Sequence, residues 1–330
     1  MSTEKFLNTL NRIANDIVIK KYKYNDSIII GDNTSGKSEL LKTIMMSLNH
    51  SERYYIDSIN RSFDVNLISA ENNEISFDIE AVVAERLKTE NFNLKDVFAF
   101  VSIGEASVPG KIETLYLTFS EEVEFLFKKF TGVNMMHQEK NKLDGLSFDG
   151  YEIIIKPNII KISTGYQAII RIFIELIYLV KSMQNKNLEE NITVVIDEIA
   201  EFLSLKNQEN IFQFLKYHFY YLNFIISTHS PSFIANAKDC NIIALFGENY
   251  SVFDSNDYRT VDDVIELLKN LNIANKKNNN ATEIDIVLNR MYYMKLMNAW
   301  DNILEKEFLE INNETLSISQ QILYKQIREW

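Results

Sequence analysis

The order of apolar and polar positions predicts strands and helices that alternate along most of the chain. Four short apolar runs have the composition of strands that are covered on both faces. Between them lie longer stretches with apolar residues at helical spacing. This alternation favours an α/β layer fold built on a mainly parallel sheet. The four runs are 27–30, 192–196, 224–227 and 242–246.

The other elements follow from shorter patterns. Residues Asn15 to Ile30 predict two strands around the polar turn KKYKYND, and Tyr54 to Ile56 predict a further strand that ends at Asp57. Another strand is predicted at Glu152 to Ile155. It is followed, after the segment KISTGYQ, by a long apolar helix that ends near Lys181. After Tyr250 the pattern is helical and polar.

The middle of the chain, residues 62–150, has a mixed pattern that we interpret as an inserted lid or arm. No heptad repeat is sustained there, so a long coiled coil is not expected. We therefore divide the chain into a core at 1–61 and 151–250, the insert at 62–150 and a helical C-terminal region at 251–330. Within the insert, helices are predicted at Ile79–Thr89 and Glu121–Thr131, and strands at Val97–Ile103 and Thr114–Phe119. The Asn- and Lys-rich stretch Ala274–Thr282 is predicted to be a loop.

Composition narrows the classes of function. The chain of 330 residues has a formal net charge of −12, which excludes a basic surface as a whole and leaves DNA binding to local patches such as Lys20 to Lys23. Ala168 to Val180 is interrupted by Arg171 and Glu175, so it predicts a buried helix rather than a membrane span. The single cysteine, Cys240, favours a core position and a reducing, cytoplasmic compartment.

The first chemical motif is GDNTSGKS, from Gly31 to Ser38, between an apolar strand and a helix. Such a loop folds its backbone N–H groups around phosphates, and the following helix directs its positive end at the same anion. Lys37 is predicted to reach the β- and γ-phosphates of a nucleotide, and Ser38 to bind Mg²⁺. The predicted nucleotide-binding residues here are Gly31, Asp32, Asn33, Thr34, Ser35, Gly36, Lys37, Ser38 and Glu39.

Two further strands end in residues that suit phosphate chemistry. The run ITVVI ends in Asp197 and Glu198, at the edge where open α/β sheets bind ligands. Asp197 is predicted to hold Mg²⁺, directly or through water, and Glu198 to orient the attacking water. In FIISTHSP, His229 follows a buried strand and can reach the γ-phosphate or that water.

A fourth motif, KISTGYQ at Lys161 to Gln167, precedes the long apolar helix. Ser163 and Gly165 can form an anion-binding helix N-terminus there, and a simple helix cap explains them equally well. What distinguishes the motif is its place in the order of motifs along the chain. It stands after the glycine-bearing loop and before Asp197, Glu198 and His229.

That order resembles the ABC-type ATPases, in particular the group of small bacterial AAA ATPases related to SMC and OLD proteins. KISTGYQ is similar to the signature motif, ITVVIDEIAEFL to the Walker B and D-loop segment, and STHSP to the switch-histidine motif. The resemblance implies a P-loop fold, ATP and Mg²⁺ as cofactors, and catalysis by Lys37, Glu198 and His229. It also implies a head-to-tail homodimer or higher oligomer in which Ser163 and Gly165 contact the nucleotide of the other subunit.

Several of the similar proteins are ATPase subunits of anti-phage systems such as Septu, PARIS and retron-linked modules. The resemblance therefore implies a cytoplasmic sensor or regulatory ATPase that controls a separate effector, such as a nuclease, without a membrane partner. The alternatives are a DNA-repair or chromosome-linked SMC-like ATPase, an ATP-gated scaffold with little turnover, and a transporter ATPase subunit. About eighty residues after Tyr250 leave little room for a nuclease domain in the chain itself.

The sequence departs from the family pattern in three places. Glu201 to Leu205 stand at the D-loop position without the common His-Leu-His-Pro, and no clear Q-loop glutamine is present, so Asp57 or Asn60 are the candidates to replace it. Tyr22 or Tyr24 could stack on adenine, but the pattern favours exposed strand residues at both positions. Asn141 to Asp144 match the guanine motif NKxD but follow no apolar strand, which argues against a GTPase.

Overall fold

The computed structural model describes most of the chain. The described residues are 3–32, 34–58, 63–68, 74–75, 77–98, 100–103, 106–109, 111–139, 151–156, 162–186, 192–279, 283–296, 300–312, 316 and 318–329. The helices are α1 Thr3–Val18, α2 Lys37–Ser47, α3 Ile79–Arg86, α4 Ser120–Thr131, α5 Thr164–Asn185, α6 Leu205–His218, α7 Pro231–Asn236, α8 Val261–Asn279, α9 Glu283–Leu296, α10 Asn302–Leu309 and α11 Ile318–Glu329. The strands are β1 Ser27–Gly31, β2 Arg53–Ile56, β3 Glu74–Ile75, β4 Phe100–Ile103, β5 Ala106–Pro109, β6 Asn134–Glu139, β7 Tyr151–Lys156, β8 Thr193–Ile196, β9 Asn223–Ser227, β10 Asn241–Phe246 and β11 Asn249–Asp254.

The main sheet confirms the α/β prediction. Its strand order is β11-β10-β1-β9-β8-β2, and all neighbours are parallel except β11, which pairs antiparallel with β10. The strands β1, β8 and β9 are almost wholly buried, as expected of strands with helices on both faces. Because parallel strands share one carboxyl edge, the segments that follow β1, β2, β8 and β9 meet along the same side of the sheet.

The first strand predicted within Asn15 to Ile30 is wrong. Residues 3–18 form α1, which packs against α2. Leu10, Ile13 and Ala14 are buried and Ile17 is half-buried, at the three- and four-residue spacing of one helix face. Over a short window the alternation of Ile17 with Ile19 imitates a strand, and only the longer period reveals the helix.

The insert is mixed α/β, as predicted, and contains one wrong assignment. Helices α3 and α4 form where helical spacing predicted them, and β4 lies between β3 and β5 in a small antiparallel sheet. The predicted strand Thr114–Phe119 is instead a short 3-10 helix, Ile112–Leu115, followed by turns. Four residues are buried there with helical rather than alternating spacing: Ile112, Leu115, Tyr116 and Phe119.

The C-terminal region is mostly helical, with two departures from the predicted pattern. Strand β11 extends to Asp254 and belongs to the main sheet. Helix α8 continues to Asn279, through most of the stretch predicted to be a loop. No glycine or proline interrupts 261–279, and a polar composition does not by itself separate an exposed helix from a loop. The last helices enclose a small core of their own, which includes Leu288, Met291, Phe308 and Ile327.

Helix α5 is buried along nearly its whole length and carries an ionic cluster. Arg86 Nη1 lies 2.8 Å from Glu175 Oε2, and Arg171 Nε lies 3.5 Å from Glu175 Oε1. Arg171 also pairs with Asp96 at 2.7 Å, and Tyr54 donates to Glu175 Oε2 at 3.2 Å. The side chains of both arginines and of Glu175 are at most 2% exposed. The cluster joins α5 to β2 and to the insert.

Among the described residues, no helix is both long enough and apolar enough to cross a bilayer.

We expect Glu175→Gln to reduce the free energy of unfolding by about 3–5 kcal/mol, because it leaves two buried guanidinium groups without their shared carboxylate. Urea denaturation of the purified protein measures this. Glu122→Gln is the matched control, since Glu122 pairs with Lys181 at 3.0 Å with both side chains about 40% exposed. Glu122→Gln should reduce the free energy of unfolding by less than about 1 kcal/mol. Equal losses for the two variants would contradict a structural role for the buried cluster.

Candidate functional site

The loop between β1 and α2 is shaped around two glycines. A Cβ on Gly31 would lie 2.5 Å from Ser35 Oγ and 2.8 Å from the Leu245 carbonyl oxygen. Gly36 caps α2 in a left-handed conformation, with φ of 90°, and the Phe6 ring of α1 covers the side where a Cβ would stand. Both positions therefore require glycine. Asn33, predicted to belong to this loop, lies outside the described residues.

The amine of Lys37 lies inside this loop and is only 7% exposed. Its Nζ donates to the carbonyl oxygens of Gly31 at 3.3 Å and Asp32 at 3.4 Å. Burial lowers the pKa of Lys37, and nearby carboxylates, Glu198 first among them, oppose this shift. Added negative charge in the loop, such as that of a phosphate group, would therefore stabilise the ammonium form of Lys37.

Asp197 lies at the carboxyl end of β8, 1% exposed, with donors on both oxygens. Ser38 Oγ donates to its Oδ2 at 2.9 Å, and Ser227 Oγ, at the end of β9, donates to its Oδ1. The structure thus brings together the two residues that were predicted from sequence to bind a metal ion. The backbone N–H of Asp197 donates to the Ile56 carbonyl at 3.0 Å, which fixes the strand end against β2.

Glu198 and His229 meet beside Lys37. Glu198 has a left-handed backbone, with φ of 49°, and its N–H donates to Ser227 Oγ at 2.8 Å. His229 Nε2 lies 3.0 Å from Glu198 Oε1 and 2.6 Å from Lys37 Nζ. This nitrogen can donate to the carboxylate or accept from the amine, but not both at once. A sparsely populated backbone conformation held by strand-end contacts is typical of functional residues.

The charge state of Glu198 follows from these contacts. Burial by itself raises the pKa of its carboxyl group, but the hydrogen bond and charge of His229 and the charge of Lys37 outweigh burial and leave the pKa below its usual value. Glu198 is therefore a carboxylate at neutral pH. It can accept a hydrogen bond from a water molecule at this edge of the sheet.

Sequence reasoning missed two residues of the site, Ser227 and Asn93. Asn93, in the insert, donates from Nδ2 to Asp197 Oδ2 at 2.7 Å, and its Oδ1 accepts from the Tyr55 hydroxyl at 2.8 Å. No local motif marks Asn93, because the contact joins residues 104 positions apart. Two residues were named from sequence as candidates to replace the Q-loop glutamine. Asp57 is buried directly after β2, and Asn60 lies outside the described residues.

Ser163 and Gly165 stand apart from this group, at the N-terminus of α5. Ser163 is exposed, and its Oγ caps the helix by accepting from the Tyr166 N–H at 3.3 Å. Gly165 faces the turn that follows Glu198, and a Cβ there would lie 2.8 Å from the Phe202 carbonyl oxygen. The predicted cap is thus present, and the glycine has a steric role within the chain.

We expect Gly165→Ala to lower the free energy of unfolding by about 1–3 kcal/mol, since the new methyl group would press on backbone rather than on a movable side chain. Without this contact, alanine in a helix would stabilise by about 0.5–1 kcal/mol. Thermal unfolding gives the sign. Thr164→Ala, at the exposed neighbouring position, is the matched control and should have little effect. A stabilised Gly165→Ala would contradict the close approach of Phe202.

The arrangement fits a nucleotide and a magnesium ion. The Ser35 hydroxyl is buried in the loop and has no hydrogen-bond partner among the described residues. Ser38 and Asp197 offer two hard oxygen ligands, and the described part of the chain has no cluster of three or more His, Cys, Asp or Glu residues that could hold a metal. Mg²⁺ suits such a site, because it usually takes its other ligands from phosphate and water.

Tyr22 and Tyr24, expected to be exposed strand residues, are instead half-buried and lie in the turn before β1. Both residues line a cavity of about 340 Å³ together with Ser27, Thr193 and Asn223, the first residues of β1, β8 and β9. They therefore lie at the amino edge of the sheet, whereas the glycine-bearing loop follows the carboxyl end of β1. The length of β1 separates the two edges.

No family model matches the chain, and no curated protein matches it. Among solved structures, it is similar to a metal-chelate-type ABC transporter in an inward-facing conformation (14% identity, 74% of this chain and 78% of that chain, TM-score 0.37). It is also similar to an SMC head bound to the C-terminal winged-helix domain of ScpA (14% identity, 69% and 89%, TM-score 0.33) and to the SMC head domain from Thermotoga maritima (13% identity, 69% and 89%, TM-score 0.33). Any conclusion about function therefore rests on the chain's own site.

Proposed function

We propose that this chain binds ATP with Mg²⁺ and hydrolyses it to ADP and phosphate. One observation carries the proposal: the segments after β1, β8 and β9 bring Lys37, Ser38, Asp197, Glu198 and His229 together at one edge of the sheet. A glycine-bearing loop, a buried amine and strand-end carboxylates in mutual contact are what phosphoryl transfer requires. ATP rather than another nucleoside triphosphate is inferred from the resemblance of the motifs.

Each side chain has a role in this proposal. The loop from Gly31 to Glu39 binds the phosphates with its N–H groups, and Lys37 exchanges its carbonyl partners for phosphate oxygens. Ser38 and Asp197 hold the cation. When bound, Mg²⁺ neutralises charge on the phosphate oxygens and fixes their geometry.

Glu198 and His229 act on the water and the transferred phosphate. The Glu198 carboxylate accepts a hydrogen bond from water and orients it for attack on the terminal phosphorus. His229 Nε2, 3.0 Å from Glu198 Oε1, can hold that carboxylate before the nucleotide binds, and can donate the same proton to a phosphate oxygen once ATP is bound. The attack breaks the bond between the terminal phosphorus and the bridging oxygen, and the proton of the water leaves through Glu198.

We further propose that two copies of the chain clamp each ATP. Ser163 and Gly165 lie at the N-terminus of α5, whereas the other site residues follow the ends of β1, β8 and β9. The N-terminus of α5 is exposed at Ser163 and Thr164, and the positive end of its helix dipole suits the phosphate of a nucleotide held by a second copy. Such an arrangement would make the nucleotide state determine the assembly state.

The biological setting is a proposal from the motif resemblance alone. We propose a sensor or regulatory ATPase of an anti-phage complex, which holds or releases a separate effector such as a nuclease. Two results would contradict this: nuclease activity of the purified chain by itself, or membrane permease subunits in its native complex.

The proposed reaction is tested by phosphate release from the purified chain. With ATP and Mg²⁺, ADP and phosphate should form in equal amounts, and chelation by EDTA should stop the release. Asp197→Asn should remove Mg²⁺-dependent turnover, since a neutral amide is a much weaker ligand for Mg²⁺. Absence of turnover in the unaltered protein under all conditions, with ATP bound, would support an ATP-gated scaffold instead.

A further inference from the structure

Asn93 occupies an unusual position for a residue of the insert. Its backbone is left-handed, with φ of 52°, in the turns that follow α3. Because a carboxylate can only accept, the contact with Asp197 fixes the amide NH₂ toward Oδ2 and turns Oδ1 toward the Tyr55 hydroxyl. The Phe92 ring stacks on the Tyr55 ring at 5.4 Å. The amide is therefore held in one orientation by β2 and by Asp197.

The same oxygen of Asp197 serves two donors. Oδ2 accepts from Ser38 Oγ at 2.9 Å and from Asn93 Nδ2 at 2.7 Å. A carboxylate oxygen has about two lone-pair positions, so these donors fill them. A cation that takes Oδ2 as a ligand must shift one of the two donors. Since Ser38 is itself placed to bind the cation, Asn93 is the donor that has to adjust.

The segment that carries Asn93 is fastened to α5 on both sides. Before it, Arg86 pairs with Glu175 at 2.8 Å and donates from Nε to the Val97 carbonyl oxygen at 2.6 Å. After it, Asp96 pairs with Arg171 through two bonds, of 2.7 and 3.1 Å. Arg171 stands seven residues after the first residue of α5, about 10 Å along the helix. The segment that carries Asn93 is thus attached to α5 about 10 Å along the helix from its N-terminus, where Ser163 and Gly165 lie.

We propose that Asn93 is a positioning residue that senses the cation at Asp197 and transmits its presence to the N-terminus of α5. This rests on the proposed function, because it assumes that Mg²⁺ and ATP bind at the glycine-bearing loop. It adds a role for the insert: residues 86–98 connect the cation position of a subunit to the surface that the subunit offers to its partner.

The test uses the full-length chain with Glu198→Gln, so that bound ATP persists. Adding Asn93→Ala should lower the Mg²⁺ concentration that half-saturates binding of a fluorescent ATP analogue about tenfold, because the cation no longer has to displace an amide that is bonded to a charged group. Affinity for the analogue in EDTA should not change. Mg-ATP should protect the backbone amides of residues 162–171 from hydrogen exchange in the parent, and Asn93→Ala should abolish that protection.

Two further variants make the result specific. Tyr55→Phe keeps the amide but removes the hydroxyl that orients it, and should lower the Mg²⁺ requirement about threefold, as expected when one neutral hydrogen bond no longer holds the amide on Asp197. If Asn93→Ala does not fold, Tyr55→Phe by itself tests the role of Asn93. Asn210→Ala removes an exposed amide that donates within α6, at 2.7 Å to the Lys206 carbonyl, and should change nothing.

The outcomes separate this inference from the proposed function. If the parent binds Mg-ATP and gains protection, but Asn93→Ala and Tyr55→Phe behave like Asn210→Ala, the role of Asn93 is overturned and the proposed function stands. A lowered Mg²⁺ requirement with normal protection at 162–171 would overturn the transmission to α5. A parent that binds no ATP would overturn both.

Discussion

Lys37→Ala is expected to weaken ATP binding at least about a hundredfold and to reduce turnover to background, because it removes the charge-assisted bonds at the centre of the phosphate-binding loop. In the present structure Lys37 Nζ is held by two loop carbonyls, His229 and Glu198, which places it where phosphate oxygens would enter. Titration calorimetry with ATP and Mg²⁺ measures the affinity directly.

The control for this result is Lys206→Ala. Lys206 is exposed near the start of α6, so its loss changes the net charge equally but leaves the loop intact. Its affinity for ATP should match that of the unaltered protein. If Lys37→Ala remains cooperatively folded and binds ATP within about threefold of the unaltered protein, a change far smaller than the loss of a charge-assisted bond predicts, the phosphate site is not at this loop.

Glu198→Gln is expected to reduce phosphate release at least about a hundredfold while ATP affinity stays within about threefold. Glutamine keeps the size of the side chain but has no negative charge to polarise water, and it cannot take up a proton. Because the contacts of Glu198 are with His229 and Lys37 rather than with the loop backbone, binding should survive. Phosphate release and calorimetry on the same preparation separate the two effects.

Glu209→Gln is the matched substitution for this experiment, since Glu209 is an exposed residue of α6. It should leave phosphate release unchanged. Turnover by Glu198→Gln close to that of Glu209→Gln would mean that another group activates the water. In that case the proximity of Glu198 to Lys37 would be structural only.

The parts of the site that could be predicted from sequence are those that depend on local chain direction. A glycine-bearing loop after a buried strand, and carboxylates or a histidine after two other buried strands, must meet if the strands are parallel. This reasoning places Lys37, Asp197 and His229 at one edge, and the structure has them there. Tyr22 and Tyr24 precede β1, and they lie at the opposite edge, beside the first residues of β1, β8 and β9.

The features that could not be predicted from sequence depend on packing between distant segments. Asn93 reaches Asp197 only because α3 and the turns after it are fixed to α5 by buried arginines. No periodicity or motif encodes that contact. The helix α1 was misassigned for a related reason. Its apolar face is defined by burial against α2 over four turns, a longer range than the few residues that suggested a strand.

The most direct test of the central claim is the mass of Glu198→Gln in solution, measured by light scattering with and without Mg-ATP. The proposed clamp predicts a mass that doubles only when Mg-ATP is present, and that stays single when Ser163→Arg is added, because arginine at the exposed N-terminus of α5 would block the partner's phosphate. A single mass under both conditions, with ATP bound, would contradict the two-copy site.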